Sequence, residues 1–136
     1  MKICICCSLS FTKEVLELTD KLEAAGYNVL LPNGVINKLY EKNGFDPIKA
    51  KIETNAIKAH IEKIKECDIV LVCNYTKNNI INYIGANTFL EIAFAHYYNK
   101  PIFALNPLPD QPYIYDEIMS FDIKVLDNDI AKLDKK

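Results

Sequence analysis

The chain has 136 residues, half of them hydrophobic and a quarter charged, with a formal net charge of −2 at pH 7. That length allows one domain with a full core, and that composition excludes a disordered segment. All sixteen cations are lysines. Without arginine or clustered cations, the chain offers neither a general surface for a nucleic-acid polymer nor a guanidinium fork for a phosphate. No apolar run reaches the length of a membrane span, and the start lacks a signal-peptide pattern, so no membrane partner is expected. Cys4, Cys6, Cys7, Cys67 and Cys73 are odd in number, and four lie in or beside apolar strands. Free thiols in the cytoplasm are expected rather than a disulfide framework. Cys6 and Cys7 lack a second Cys/His pair at ligand spacing, so no metal or other cofactor is expected.

In chain order, Lys2–Cys7 reads as a strand and Ser8–Ser10 as the turn after it. A helix follows from about Phe11 to Ala25. Val15, Leu16, Leu18 and Leu22 recur at helical spacing, Glu14, Glu17, Asp20, Lys21 and Glu23 fall largely outside, and Gly26 stops it. Tyr27–Leu31 is a short strand closed by Pro32. Residues 33–45 show no period and carry Gly34, Asn37, Asn43 and Gly44, the composition of a surface loop. Asp46-Pro47 then opens a helix, Asp as cap and Pro in the first turn. It runs to about Glu66, with Ile52, Ala56, Ile57, Ala59 and Ile64 as its inner face. Asp68–Cys73 is a continuous apolar strand, the pattern of one covered on both faces. The polar loop Asn74–Gly85 precedes a helix over about Thr88–Asn99. Pro101–Leu105 is a strand, Tyr113–Ser120 a short helix and Ile123–Leu126 a last strand, with a helical turn in the tail Asp129–Lys136.

Strands alternating with helices imply an α/β fold: one domain over residues 1–136, a three-layer, doubly wound, parallel five-stranded sheet of flavodoxin or Rossmann-like type. The expected strand order is 2-1-3-4-5. That order places a ligand crevice at the carboxyl edge, between strands 1 and 3. Two loops meet there. Cys6–Phe11 leads into a helix whose free N–H groups favour an anion, so Ser8 and Ser10 either donate to a phosphate or sugar hydroxyl or simply cap that helix. The stretch Asn74–Asn87 is long for such a connection and holds five asparagines with Tyr75 and Tyr83, groups able to read base edges and to stack. Glu91 is the sole carboxylate in an apolar, aromatic helix. Either it closes a capping box with Thr88, or it faces the crevice as a nucleophile whose pKa burial raises. His96 sits among aromatics and His60 in an ordinary helical stretch, and neither is distinctive alone.

Taken together, five segments carry a resemblance: Ile5-Cys-Cys-Ser-Leu-Ser10, Ala25-Gly-Tyr-Asn-Val-Leu-Leu-Pro32, Cys67-Asp-Ile-Val-Leu-Val72, Asn87-Thr-Phe-Leu-Glu-Ile-Ala-Phe-Ala95 and Asn99-Lys-Pro-Ile102. In order and spacing, over roughly residues 2–106, the chain resembles the nucleoside 2-deoxyribosyltransferase superfamily. That superfamily holds base-exchanging transferases and nucleotide N-glycosidases. The resemblance implies cleavage or exchange of the N-glycosidic bond of a small-molecule nucleoside or nucleotide. Glu91 would attack the anomeric carbon, and water or a second base would resolve the glycosyl-enzyme ester. A general acid would help the base to leave. Ser8 and Ser10 would lie near the sugar's 5′ end, and Asn74, Tyr83, Gly85 and Asn87 would line the sugar and base pocket. Cys6, Phe11 and Thr88 complete the implied substrate-binding set.

The resemblance also implies a homodimer or larger homo-oligomer, with Phe94, Tyr97 and Tyr98 as either interface or core. Three features depart from the family pattern. His60 stands where members commonly carry an aspartate; it can act as an acid or hydrogen-bond the sugar, and is grouped with Glu91 as catalytic. Cys7 replaces the turn glycine, and the loop before Glu91 is longer. The lost aspartate keeps an alternative open, a non-catalytic nucleotide-binding or sensing module of the same fold.

Overall fold

Side-chain alternation along the first strand sets both layers of the core. In β1 (Lys2–Cys6), Ile3 and Ile5 point to one face of the sheet and Cys4 and Cys6 to the other, all four fully buried. The structure, a computed structural model, describes residues 1–134. Its strands β1, β2 (Asn28–Leu30), β3 (Ile69–Val72), β4 (Ile102–Ala104) and β5 (Ile123–Val125) form one parallel sheet in the order β2-β1-β3-β4-β5. The expected α/β architecture and strand order are therefore observed.

On the Ile3 face, α1 (Thr12–Ala24) contributes Val15, Leu18 and Leu22, and the 3₁₀ turn Ile130–Asp134 contributes Leu133. On the Cys4 face lie α4 (Ala56–Glu66) with Ile64, α5 (Ala86–Tyr97) with Ile92 and Ala95, and α6 (Tyr115–Ser120) with Ile118. Each fully buried aliphatic side chain contributes about 1.5–3 kcal/mol of transfer free energy, so the two layers hold most of the stabilisation. The tail turn falls where expected, with Lys135 and Lys136 outside the described residues. No helix is long and apolar enough to cross a membrane among the described residues.

Two stretches differ from expectation, and both shape the crevice. Residues 33–45 are not a plain surface loop: α2 (Asn33–Ile36) and a 3₁₀ turn at Leu39–Glu41 fold inward, burying Gly34 and Val35. Pro32 C=O starts α2 by accepting from Val35 N and Ile36 N at 2.9 and 3.1 Å. A single turn is too short to show a 3.6-residue period.

The expected long helix is two helices, α3 (Pro47–Thr54) and α4, joined by Asn55 in the left-handed region at φ 49°. Asparagine tolerates that conformation, and the break rotates the inner face. Ile64 is buried as expected, but Ile52 is 75% exposed. The Asp46 cap does form, its Oδ1 accepting from Ile48 N at 3.0 Å and Lys49 N at 3.3 Å.

Candidate active site

β1 and β3 end side by side, and the chain leaves them in opposite directions across the sheet, so their carboxyl ends open a crevice. The crevice is a cavity of about 390 Å³. Glu91 and Thr88 from α5 and His60 from α4 form its buried floor. The rim comes from Ser8 and Ser10 after β1, Lys77 and Tyr83 before α5, and the short elements between Pro32 and Lys51.

Glu91 is only 6% exposed, and no lysine pairs with it among the described residues. Burial pushes its pKa up to about 8, against a hydrogen bond from Cys6 that pulls it down. The capping box is not formed. Helix α5 begins at Ala86 with Gly85 as its cap, so Thr88 already lies inside the first turn, and its Oγ1 has no hydrogen-bonding partner among the described residues. A buried hydroxyl left that way costs about 1–3 kcal/mol.

His60 Nε2 lies 2.7 Å from the Ile5 carbonyl oxygen. That oxygen can only accept, so the ring hydrogen sits on Nε2 and Nδ1 carries a lone pair. Nδ1 has no partner. Burial lowers the His60 pKa to about 4, the Ile5 hydrogen bond opposing and Lys63 assisting, so the ring is neutral near pH 7. A neutral ring with its hydrogen held on Nε2 offers Nδ1 as an acceptor.

Behind the floor, Cys4 and Cys6 Sγ lie 3.5 and 3.7 Å from His60 Nε2. Their donor atoms fall within 4.8 Å of one another, a spacing that suits a soft cation such as zinc. Two features of the chemistry oppose that use. Nε2 already donates to Ile5, and the thiols are protonated. For Cys6 the hydrogen bond from Cys4 favours the thiolate, but burial and the nearby Glu91 outweigh it and leave the thiol at about 12. The three form a hydrogen-bonded cluster supporting the floor.

On the rim, Ser8 caps the 3₁₀ turn Leu9–Phe11, its Oγ accepting from Ser10 N at 3.4 Å. The two hydroxyls are 2.9 Å apart, and Lys77 Nζ reaches Ser8 Oγ at 3.5 Å while lying 5.2 Å from the Tyr83 ring centre.

No protein-family model matches the sequence, and a comparison with curated proteins finds no match. Among solved structures, the chain is similar to a 2-deoxyribosyltransferase from the psychrotolerant bacterium Bacillus psychrosaccharolyticus. The TM-score is 0.57 at 17% identity, over 90% of this chain and 93% of that one. The chain has a nucleoside 2-deoxyribosyltransferase-like fold. At that identity the likeness concerns the arrangement of strands and helices, and the chemistry rests on the residues themselves.

Within this deoxyribosyltransferase-like fold, Glu91, His60, Ser8, Ser10, Tyr83, Gly85, Asn87 and Thr88 converge on one cavity. Cys6 sits just behind it, between His60 and Glu91. Two residues of the sequence-derived set lie elsewhere. Phe11 packs in the opposite core layer, edge-on to Tyr75 at 5.3 Å. Asn74 ties the end of β3 to that of β4, donating to Asn106 O at 2.9 Å and accepting from Asn106 N at 3.0 Å. His96 is exposed and rests on Phe121, away from the crevice.

The loop asparagines serve the backbone. Asn78 and Asn79 both take positive φ between Lys77 and Ile80, which exchange backbone hydrogen bonds at 3.0 and 2.8 Å. This is a two-residue reversal of the kind that asparagine favours. Sequence reasoning missed Lys77, whose place on the rim depends on that reversal, and Gln111. Gln111 clamps the loop from outside, donating to Ile84 O at 2.8 Å and accepting from Ile84 N at 3.0 Å.

Proposed function

We propose that this chain cleaves or exchanges the N-glycosidic bond of a nucleoside or nucleotide, with Glu91 as nucleophile. The observation that carries this reading is an unpaired carboxyl buried in the floor of a cavity of about 390 Å³, a size that suits a small organic ligand. The similarity in fold to a 2-deoxyribosyltransferase supports it. Glu91 acts in its ionised form: the carboxylate bonds to the anomeric carbon, and the glycosidic electron pair leaves with the base. Water then yields hydrolysis, or a second base yields exchange. Ser8, Ser10 and Lys77 hold the 5′ end, with hydroxyls and one ammonium doing what arginine does elsewhere. The reading extends to a homo-oligomer. Leu90, Phe94 and Tyr97 form an exposed stripe along α5 at i, i+4 and i+7. Light scattering at micromolar concentration should give more than one chain's mass, and a monomer removes this part of the reading.

One observation favours a second reading. With its pKa near 8, Glu91 is mostly protonated at neutral pH and can donate to a sugar hydroxyl, as a binding or sensing module would require. The experiment that separates the two is chromatography of free base released from a panel of nucleosides and 5′-monophosphates. Wild type and Glu91→Gln are compared, with and without an acceptor base. Release lost in Glu91→Gln supports the enzyme, and acceptor dependence separates transferase from hydrolase. No release, together with thermal stabilisation by a panel member, supports the module.

A further inference from the structure

Among the described residues, two buried polar atoms of the cavity-lining side chains lack a hydrogen-bonding partner, His60 Nδ1 and Thr88 Oγ1. Both residues are more than nine-tenths buried, and both line the cavity beside Glu91. Because Nε2 donates to the Ile5 carbonyl, Nδ1 is fixed as an acceptor. Native interiors leave few such atoms unmatched, and each one left needs a partner that the protein itself does not supply, an ordered water or a bound group. The partner here must be a donor.

The position of His60 says which donor. Cys6 Sγ lies 3.7 Å from His60 Nε2, the Cys6 thiol also favours the Glu91 carboxylate, and His60 and Glu91 line the same cavity floor. A nucleophile that displaces a β-linked base approaches from the α face of the sugar. The 2′-hydroxyl of ribose projects on that same face, from the carbon next to the one attacked. An acceptor beside the nucleophile therefore meets the 2′-hydroxyl before any other group of the ring. A neutral imidazole also accepts this hydrogen bond without setting a second negative charge beside Glu91, as a carboxylate would.

We propose that the site prefers ribonucleosides or ribonucleotides to their 2′-deoxy counterparts, with His60 Nδ1 accepting a hydrogen bond from the ribose 2′-hydroxyl. The assignment rests on the proposed role of Glu91, because that role orients the sugar. His60 is then a specificity-determining residue. Thr88 Oγ1, unpartnered in the same floor, faces the remaining α-face hydroxyl. A 2′-deoxy sugar leaves Nδ1 desolvated and unpaired, which packing alone cannot recover.

The test is binding, measured by calorimetry on Glu91→Gln protein. The probes are matched ribo- and 2′-deoxyribonucleosides, and their 5′-monophosphates, of adenine, guanine and cytosine. Two double variants accompany it. His60→Gln keeps an N–H donor for Ile5 and removes the Nδ1 acceptor, whereas His60→Leu removes both ring nitrogens. The ribo member should bind about tenfold or more tightly than its deoxy partner, and His60→Gln should bring the ratio to about twofold or less. Equal or tighter binding of the deoxy members overturns the proposal, as does an unmoved ratio in a folded His60→Gln protein. If His60→Gln shows no cooperative thermal transition, the ratio in His60→Leu decides on the same terms. Absence of base release by wild type, with the ribo preference intact, defeats the nucleophile reading alone. Base release without a ribo preference defeats this proposal alone, and failure of every probe to bind overturns both.

Discussion

The floor and the rim of the cavity are built on opposite terms. The floor side chains, His60, Thr88 and Glu91, are buried on two helices that pack against the central strands, and His60 is tied to β1 through Ile5. The rim is made of one-turn helices, a two-residue reversal and left-handed positions at Lys38, Asn55, Asn78, Asn79 and Asn82. Burial moves the floor's pKa values in opposite directions, Glu91 up and His60 down, whereas Lys77 meets Ser8 in a partly open setting. The difference separates two tasks. In the function proposed above, the floor fixes protonation states and the reacting geometry, and the rim decides what reaches it.

The largest effect expected from breaking the floor is chemical. Glu91→Gln should lower base release by about a thousandfold or more, since the amide cannot form the glycosyl ester. If only ionised Glu91 attacks, wild-type kcat/KM should rise with pH and level off above about 8. A flat profile from pH 6 to 9 counts against Glu91 as the ionising nucleophile.

The same substitution should act on stability with the opposite sign. The folded-state pKa of Glu91 is raised from 4.5 to about 8, so the unfolded chain ionises first as pH rises. The folded state thus loses stability between roughly pH 4.5 and 8 and stays at the lower level above that. Glu91→Gln removes this loss. Urea denaturation should find the variant more stable by about 2–4 kcal/mol at pH 8.5, and the gap should close toward pH 4.5. His60 acts at the other end. With a pKa lowered to about 4, its contribution is whole above pH 6.5 and is lost as pH falls through 4. A gap independent of pH would mean that Glu91 ionises as readily in the folded chain as in the unfolded one.

How much of this was legible in sequence follows the same division. α1 is thirteen residues of clean helical period, and β3 is four consecutive buried residues, so strands, helices and their order could be read directly. Glu91 stood out because an acid in an apolar, aromatic helix needs a reason. Its environment did not, because the capping box and the nucleophile share one spacing. Only the start of α5 at Ala86 removes the capping box. His60 acquires its role from contact with Ile5, 55 positions away, which no periodicity records. The rim was least legible. Its α2 and the 3₁₀ turn at Leu39–Glu41 are shorter than a measurable period, and its asparagines, legible as ligand-binding amides, are spent largely on backbone conformations that asparagine tolerates.

Thr88 and Lys77 sharpen the contrast at intermediate size. Thr88→Val removes a buried hydroxyl without a partner, so it should raise stability by about 1 kcal/mol while weakening ligand binding. Calorimetry of unfolding and of binding on one sample would show both signs. Lys77→Ala should weaken a 5′-monophosphate by about tenfold, with a smaller loss for the matching nucleoside. Equal losses for both would place Lys77 against the base or sugar instead of the phosphate.

The smallest expected effect lies at the outer edge of the rim, and it tests the break in the helix. The sequence reading of one helix from Asp46 to Glu66 sets Ile52 on the inner face with Ile64, where a lysine would cost several kcal/mol. With Asn55 at φ 49° the phase shifts between α3 and α4, and Ile52 faces solvent at 75% exposure. Ile52→Lys should therefore change stability by no more than about 0.5 kcal/mol. Ile64→Lys, on the far side of the break and fully buried, should abolish the cooperative transition under the same conditions. Equal damage from both would restore a single inner face and a continuous helix. The floor would then extend over residues assigned here to the rim, because the Asn55 break alone divides α3 from the helix that holds His60.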